Sequence, residues 1–157
     1  MRIKTVQALV NKVKLRAPHL EVVGVADYNP YGAALLLSYK FSSSKSQTSL
    51  ETGVEGTCPQ LRWLGLRTEH TKVMEREIGA EAFSSALQQY TTHDQSKIAA
   101  LLRNQHILHD KCCRGWYQEL LSMQKVQRKV ELEALYLLGM GAVSDWVEQC
   151  IQSKSFI

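Results

Sequence analysis

The sequence predicts an α/β fold with a parallel sheet at its core, followed by a helical C-terminal part. Residues 22–26 (VVGVA) form a short apolar run rich in β-branched side chains, which is typical of a buried strand in a parallel sheet. Helical apolar patterns lie on both sides of this run, as in a doubly wound unit. The 157 residues fit one domain that is large enough to bury a hydrophobic core.

The first helix is predicted over residues 3–15, because its apolar residues recur at spacings of three and four. They form one stripe made of Ile3, Val6, Val10 and Val13. Ala17-Pro18 ends this helix, and the strand of residues 21–27 follows. Since no strand precedes the helix, we expect a sheet that is incomplete at its N-terminal end. Such a sheet has an open strand edge and leaves an apolar helix face uncovered, which favours self-association.

A turn and a buried helix come next. Asp27 closes the strand, and Asn29 stands before Pro30. This order is typical of a helix entry in which Asn29 caps the helix and Pro30 takes its first position. From Tyr31 the pattern is helical and strongly apolar, so a helix is predicted over residues 31–41.

The remaining segments alternate between polar loops and helical patterns. Residues 42–58 are predicted as a Ser/Thr/Gly-rich loop, residues 61–66 as a short strand flanked by two exposed arginines, and residues 80–90 are ambiguous. A helix that begins at Thr92-His93-Asp94 runs through Leu102. Further helices are predicted over residues 68–78, 114–127, 129–138 and 142–152, the last with Val143, Trp146, Val147, Cys150 and Ile151 inward.

Charge, cysteine usage and hydropathy limit the functional class. The net charge is +4 and the basic residues cluster in residues 1–16 and 103–129, which suggests a polyanionic partner. The alternative is that both clusters are solvated helix faces. Four cysteines without a CxxC pair favour a reducing compartment. No apolar run approaches ~18 residues, so no membrane span is predicted.

Asp27 is the strongest candidate for chemistry. Ligands of open α/β sheets gather at the carboxyl ends of the strands, where Asp27 and Asn29 are expected. Oxygen ligands of this kind suit Mg²⁺, which takes one or two protein carboxylates together with water and phosphate oxygens. The alternative is that both side chains only cap the turn and the following helix.

Other combinations of residues give weaker evidence for a functional site. The His106, His109, Cys112 and Cys113 segment resembles half of a zinc site, but no second ligand pair accompanies it, so an ordinary polar helix end is the simpler interpretation. The three tryptophans are expected in the core. Neither a GxGxxG motif nor a P-loop occurs.

Five segments in order resemble motifs of the Toprim domain found in the A subunit of topoisomerase VI and in its eukaryotic relative, the meiotic double-strand-break protein Spo-eleven. They are residues 25–32 (VADYNPYG), 35–43 (LLLSYKFSS), 61–66 (LRWLGL), 92–102 (THDQSKIAALL) and 129–135 (KVELEAL). The resemblance extends from about Thr5 to Ile157. It implies a Toprim-like, Rossmann-like sheet and a single partial Toprim domain over residues 1–157. No segment of this sequence resembles the winged-helix domain that carries the nucleophilic tyrosine in this family, or the first Toprim strand with its glutamate, so we expect both to be absent from residues 1–157.

The resemblance also implies a site and a reaction. Asp27 and Asn29 are the expected Mg²⁺ ligands, although Asn29 stands where the family's D-x-D motif has its second acid. In the family a tyrosine attacks a DNA phosphate and stays linked to the 5′ end, while the partner subunit's Toprim site holds the metal. The expected partners are double-stranded DNA, a second copy bound through the Toprim region, and a topoisomerase VI B-like subunit, on chromosomes in the nucleus. The expected DNA-binding residues are Lys12, Lys14, Arg16, Lys125, Arg128 and Lys129.

Two functions of different classes remain open. The first is the Mg²⁺-holding part of a DNA-breaking transesterase, inactive when alone because no catalytic residue lies in this chain. Its own tyrosines are poor nucleophiles, since Tyr31, Tyr39 and Tyr136 are expected to be buried in helices. The second is a non-catalytic module for DNA binding or dimerisation. A Toprim nuclease or primase is a third alternative, which residues 61–66 and 129–135 disfavour.

Overall fold

The computed structural model describes residues 3–41 and 57–157, and it has the predicted α/β architecture. Helix α1 (Ile3–Arg16) precedes strand β1 (Val23–Val25), which pairs in parallel with β2 (Arg62–Gly65). Helix α2 (Pro30–Lys40) lies between the two strands in the chain. The predicted loop of residues 42–58 falls almost entirely outside the described residues.

Mostly helical segments follow β2, as the sequence predicted. In chain order they are α3 (Thr68–Ile78), α4 (Ala80–Ser84), β3 (Gln88–Gln89), α5 (Thr92–Leu102), α6 (Gln105–His109), a 3-10 helix (Lys111–Cys113), α7 (Arg114–Val126), β4 (Arg128–Lys129), a second 3-10 helix (Leu132–Leu138) and α8 (Ala142–Gln152). Among the described residues, no helix combines the length and the apolar character that a membrane span requires.

The C-terminal residue, Ile157, lies beside strand β2. The backbone groups of Trp63 and Ile157 exchange two hydrogen bonds, of 2.7 and 3.1 Å, so β2 is flanked on both sides. Within the described residues β1 has β2 as its only strand neighbour, and its outer edge is open as predicted. Pairing continues past β1, because the Ala26 N–H donates to the Gly65 carbonyl at 2.8 Å. The backbone pairing therefore extends to Ala26, the residue before Asp27.

The core lies between the sheet and the C-terminal helices. Trp63 and Trp116 are fully buried with ring centroids 5.2 Å apart, which confirms their predicted core placement, whereas Trp146 is only half-buried. The ammonium of Lys40 is also buried and donates to the carbonyls of Pro59 and Leu61, so the end of α2 is tied to the start of β2. The Lys40 ammonium is therefore satisfied, whereas the indole N–H groups of Trp63 and Trp146 are buried without a partner among the described residues.

The predicted helix over residues 129–138 is wrong for its first three residues. Lys129 pairs with Gln88 in the antiparallel β3–β4 pair, and Val130 forms an isolated bridge with Tyr28. These pairings keep residues 128–131 extended, and the helix that follows is a 3-10 helix beginning at Leu132. Helical periodicity was present in the sequence, but pairing with distant segments decided the conformation.

Several predicted burials also need correction. Tyr31 and Tyr136 are more than half exposed, because each lies on the outer face of its helix, and Ile151 of α8 is exposed too. Conversely, Arg67 was expected to flank β2 in solvent but is buried, where its guanidinium binds the Leu64 carbonyl and the tail residue Ser155.

Candidate metal site and basic residues

Asp27 lies two residues beyond β1, at the carboxyl end of the parallel pair, and its side chain is half-buried. One carboxylate oxygen, Oδ1, accepts a hydrogen bond from the Leu132 N–H at 3.0 Å. Among the described residues no lysine or arginine forms an ion pair with Asp27, and its other oxygen, Oδ2, accepts no hydrogen bond. The carboxylate is thus anchored through one oxygen, while the other stays available to a ligand.

Asn29 caps helix α2, as predicted. Its Oδ1 accepts a hydrogen bond from the Gly32 N–H at 2.7 Å, and Pro30 follows at the first helical position. Gly32 is required by a close approach, since a Cβ atom there would lie 2.4 Å from the Asp27 carbonyl oxygen. The local sequence therefore fixes the turn that presents Asp27, and Asn29 contributes to it through its amide oxygen.

Tyr28, between these two residues, points into the core. Its backbone exchanges hydrogen bonds with Val130, of 2.8 and 3.1 Å, and its hydroxyl lies 3.0 Å from Thr68 Oγ1. Thr68 in turn donates from both its N–H and its hydroxyl to Glu119. Burial raises the pKa of Tyr28 to about 12, so the phenol stays protonated at neutral pH. The tyrosine next to the candidate metal site is therefore a structural anchor.

The donor set fits a hard cation. Asp27 supplies a carboxylate oxygen and Asn29 an amide oxygen, and Mg²⁺ is commonly held by one or two protein oxygens with water and phosphate completing its shell. Within residues 3–41 and 57–157 no three His, Cys, Asp or Glu side chains converge as a metal site would need. The carboxylate of Asp27 and the amide of Asn29 are thus donor types that a hard cation takes, and Asn29 Oδ1 also accepts the Gly32 hydrogen bond.

The structure does not gather the His106 to Cys113 segment into a zinc site. His106 stacks on Phe41 with ring centroids 4.7 Å apart. Cys112 is exposed, whereas Cys113 is buried, which raises the pKa of its thiol to about 11. No three His, Cys, Asp or Glu side chains of the described residues converge here.

The six basic residues predicted to bind DNA fall into two groups. Four are exposed and make no hydrogen bond or ion pair within the described part of the chain: Lys12, Arg16, Lys125 and Arg128. The other two are used internally. The Lys14 ammonium donates to the carbonyls of Pro18 and Leu20, and the Lys129 ammonium donates to Asp94 Oδ2 at 3.0 Å.

The Asp94–Lys129 ion pair was missed by sequence reasoning. Asp94 is 2% exposed and forms a capping box at the start of α5 with Thr91, one residue before the predicted start. Burial alone would raise the pKa of Asp94, but hydrogen bonds from Thr91 and the charge of Lys129 together hold it below its usual value. The T-x-D and K-x-E spacings were visible, but nothing in a single sequence indicated that the two segments meet.

Similarity to known proteins shows the family of this chain. A sequence model described as the Toprim domain of Spo11 and of the A subunit of topoisomerase 6 matches residues 4–149. The chain belongs to this family. It is 29% identical over 126 residues to meiotic recombination protein SPO11 of Mus musculus, covering 80% of this chain and 29% of that protein. It is 26% identical over 152 residues to SPO11-2 of Oryza sativa subsp. japonica, covering 95% and 34%. The chain thus spans about a third of the length of these relatives.

The family motifs meet around the Asp27 turn of this Toprim domain. Residues 25–32 contact residues 129–135 through the bond from Leu132 to Asp27. They also contact residues 61–66, because Ala26 exchanges backbone hydrogen bonds with Gly65 and Leu66, and residues 92–102 join the group through Asp94 and Lys129. Segments that are far apart in sequence therefore position one carboxylate.

Replacing Asn29 separates its observed capping of α2 from its expected metal binding. Asn29→Ala should destabilise the protein by about 1 kcal/mol, because the Gly32 N–H loses its capping acceptor. Asn29→Asp keeps an acceptor for Gly32, so stability should hold, and the added charge should tighten Mg²⁺ binding. Urea unfolding measures the first effect and magnesium titration the second. If both variants bind Mg²⁺ as the wild type does, Asn29 is a cap only.

Proposed function

We propose that this chain is the Mg²⁺-holding Toprim portion of a type IIB topoisomerase-like DNA transesterase, which makes meiotic double-strand breaks that initiate recombination. The observation that carries the proposal is the Asp27 carboxylate. It lies at the carboxyl end of the parallel strands, is held in place by the Leu132 N–H, and pairs with no cation of the described residues. An ion pair with a lysine or arginine would have neutralised this charge within the fold, and none is formed among the described residues.

The proposed reaction divides its groups between this chain and others. A tyrosine oxygen from the nucleophile domain bonds to phosphorus, the bond from phosphorus to the 3′ oxygen breaks, and the DNA keeps a protein-linked 5′ end. Magnesium, when bound, would stabilise the charge on that phosphate. Asp27 and Asn29 hold the cation, and the tyrosines of this chain take no part. Tyr28 and Tyr90 are poor nucleophiles because burial, the main cause, raises the pKa of both phenols.

The proposed partners follow from the exposed surface. Duplex DNA would contact Lys12, Arg16, Lys125 and Arg128, whose charges are free, with Lys14 and Lys129 contributing less. A second copy of the Toprim region and a topoisomerase VI B-like subunit complete the assembly, on chromosomes in the nucleus. Exposed apolar side chains on α1, such as Leu15 at 84% exposure, support contact with another polypeptide.

DNA binding by this chain should depend steeply on salt and not on sequence. Phosphate contacts release counterions, so log K should fall against log[salt] with a slope of about −0.9 for each contact. Glutamate substitutions at Lys12, Arg16, Lys125 and Arg128 together should flatten that slope, whereas Lys14→Met alone should change it little. Fluorescence anisotropy with a labelled duplex at several salt concentrations measures both. An unchanged slope in the fourfold variant would assign these residues to an ordinary solvated surface.

A non-catalytic module for DNA binding or dimerisation is the second candidate. The observation that favours it is Asn29, which adds no charge and whose amide oxygen already accepts the Gly32 hydrogen bond. The two functions differ in their need for metal. A module of this kind would bind duplex equally well with Mg²⁺ or with a chelator, and its place in an assembly would not depend on Asp27.

The proposal is tested first on the chain by itself. Supercoiled plasmid is incubated with the protein and Mg²⁺ or Mn²⁺, treated with protease, and examined for protein-linked 5′ ends. We expect no cleavage, because the nucleophile comes from another domain. Linked ends that map to any tyrosine of this chain, or that persist when Asp27 is replaced by alanine, would overturn this division of roles.

A further inference from the structure

Glu131 belongs to the K-x-E motif, yet it makes no contact that explains its presence. Its side chain is exposed and forms no hydrogen bond or ion pair within the described residues. It occupies the N-cap position of the 3-10 helix Leu132–Leu138 without capping it. The Leu132 N–H that begins this helix is instead satisfied by Asp27.

The backbone places Glu131 across from Asp27. Tyr28 and Val130 exchange both of their N–H···O=C bonds, so they form a hydrogen-bonded antiparallel pair. In that register residue 131 stands opposite residue 27. The bond from Leu132 to Asp27 Oδ1 agrees with this register, since it brings the Asp27 carboxylate to the peptide that follows Glu131.

Burial indicates which way the two side chains face. Tyr28 and Val130 are both fully buried and share the core face of the pair. Asp27 and Glu131, the residues next to this pair, are half-buried and exposed, so both side chains reach solvent.

Two opposed carboxylates repel each other unless a cation lies between them. Side chains directly opposite on an antiparallel pair have Cβ atoms about 4.5–5.5 Å apart, and like charges there are destabilising. The nearest lysine along the chain, Lys129, is committed to Asp94. Neither carboxylate has a basic partner among the described residues, so both are available to a divalent ion.

We infer that Glu131 is the second carboxylate of the magnesium site, supplying with Asp27 the negative charge that Asn29 lacks. This inference rests on the proposed function, because the metal itself is part of that proposal. It gives Glu131 a role that packing does not. It also explains how a site with an amide in its D-x-N turn retains the charge that a hard cation requires.

The Leu132 amide is a built-in probe of this site. Mn²⁺ is titrated into the ¹⁵N-labelled chain, and the metal concentration that halves the Leu132 amide signal is measured by NMR, with Mg²⁺ added as a competitor. Glu131→Gln should raise that concentration at least about tenfold, because losing even a group that only supports a ligand typically costs 10–100-fold in metal affinity. Glu133→Gln, an exposed neighbour on the same 3-10 helix, is the matched control and should leave it unchanged.

The Asp27→Asn variant tests the proposed metal site separately from the role of Glu131. It keeps an acceptor for the Leu132 N–H and removes the negative charge. If Asp27→Asn weakens Mn²⁺ binding and Glu131→Gln does not, Glu131 is no ligand and the inference fails alone. If the wild-type Leu132 signal is lost no earlier than the amide signals beside exposed Asp145, both ideas fail. Dispersed spectra of the variants establish that each remains folded.

Discussion

Lys129→Met should destabilise the fold by about 2–3 kcal/mol, less than a fully buried pair would lose because the Lys129 side chain is 22% exposed. The substitution removes the ammonium but keeps most of the aliphatic stem. It leaves the buried carboxylate of Asp94 charged and paired only with Thr91. Lys125→Met is the control, because Lys125 is exposed and without a partner in the described residues, and its effect should stay within about 0.5 kcal/mol.

The loss of stability caused by Lys129→Met should depend on pH in a defined direction. The pKa of Asp94 is lowered in the folded state, so its contribution to stability is present above the unfolded value of about 3.9 and is lost as the pH falls through the folded value. Without Lys129, protonation relieves the buried charge. The difference in unfolding free energy between wild type and variant should therefore shrink as the pH falls below about 5.

Urea unfolding at pH 7 and at pH 4 measures both effects through the transition midpoints, with unchanged slopes showing that compactness is the same. Equal stability of Lys129→Met and Lys125→Met at pH 7 would contradict the ion pair. Lys129 would then be expected to contribute as much to DNA binding as Lys125 and Arg128.

The Asp27 turn could be predicted from sequence because its signals are local. The apolar run, the Asn-Pro entry and Gly32 lie within a few residues of one another, and each specifies its conformation through short-range sterics or capping. The prediction of helix α2, its cap and the position of Asp27 at the strand end therefore agreed with the structure.

The partners of the turn could not be predicted, because they are distant in sequence. Leu132 is 105 residues from Asp27, and Lys129 is 35 residues from Asp94. Periodicity alone favoured a continuous helix over residues 129–138, and it carries no information about strand pairing with Tyr28 and Gln88. For the same reason Lys129 was grouped with the free basic residues, and Tyr31 was expected to be buried.

Asp27→Ala is expected to abolish DNA cleavage by the assembled complex, by at least about 100-fold, since a metal ion contributes several kcal/mol to stabilising charge on the phosphate. It also removes the acceptor of the Leu132 N–H, so a loss of about 1 kcal/mol in stability should accompany it. Asp27→Asn keeps that acceptor. It should lose cleavage nearly as fully while unfolding at the wild-type urea concentration.

The most direct measurement is the yield of protein-linked 5′ DNA ends. It is made in an assembly that joins this Toprim domain to a nucleophile-bearing domain and a topoisomerase VI B-like subunit, with Mg²⁺ present. Wild type and Asp145→Asn, an exposed acid on α8, should give equal yields, and Asp27→Asn should give none above the metal-free background. A wild-type yield of linked ends from Asp27→Asn would contradict the assignment of Asp27 as the residue that holds the metal.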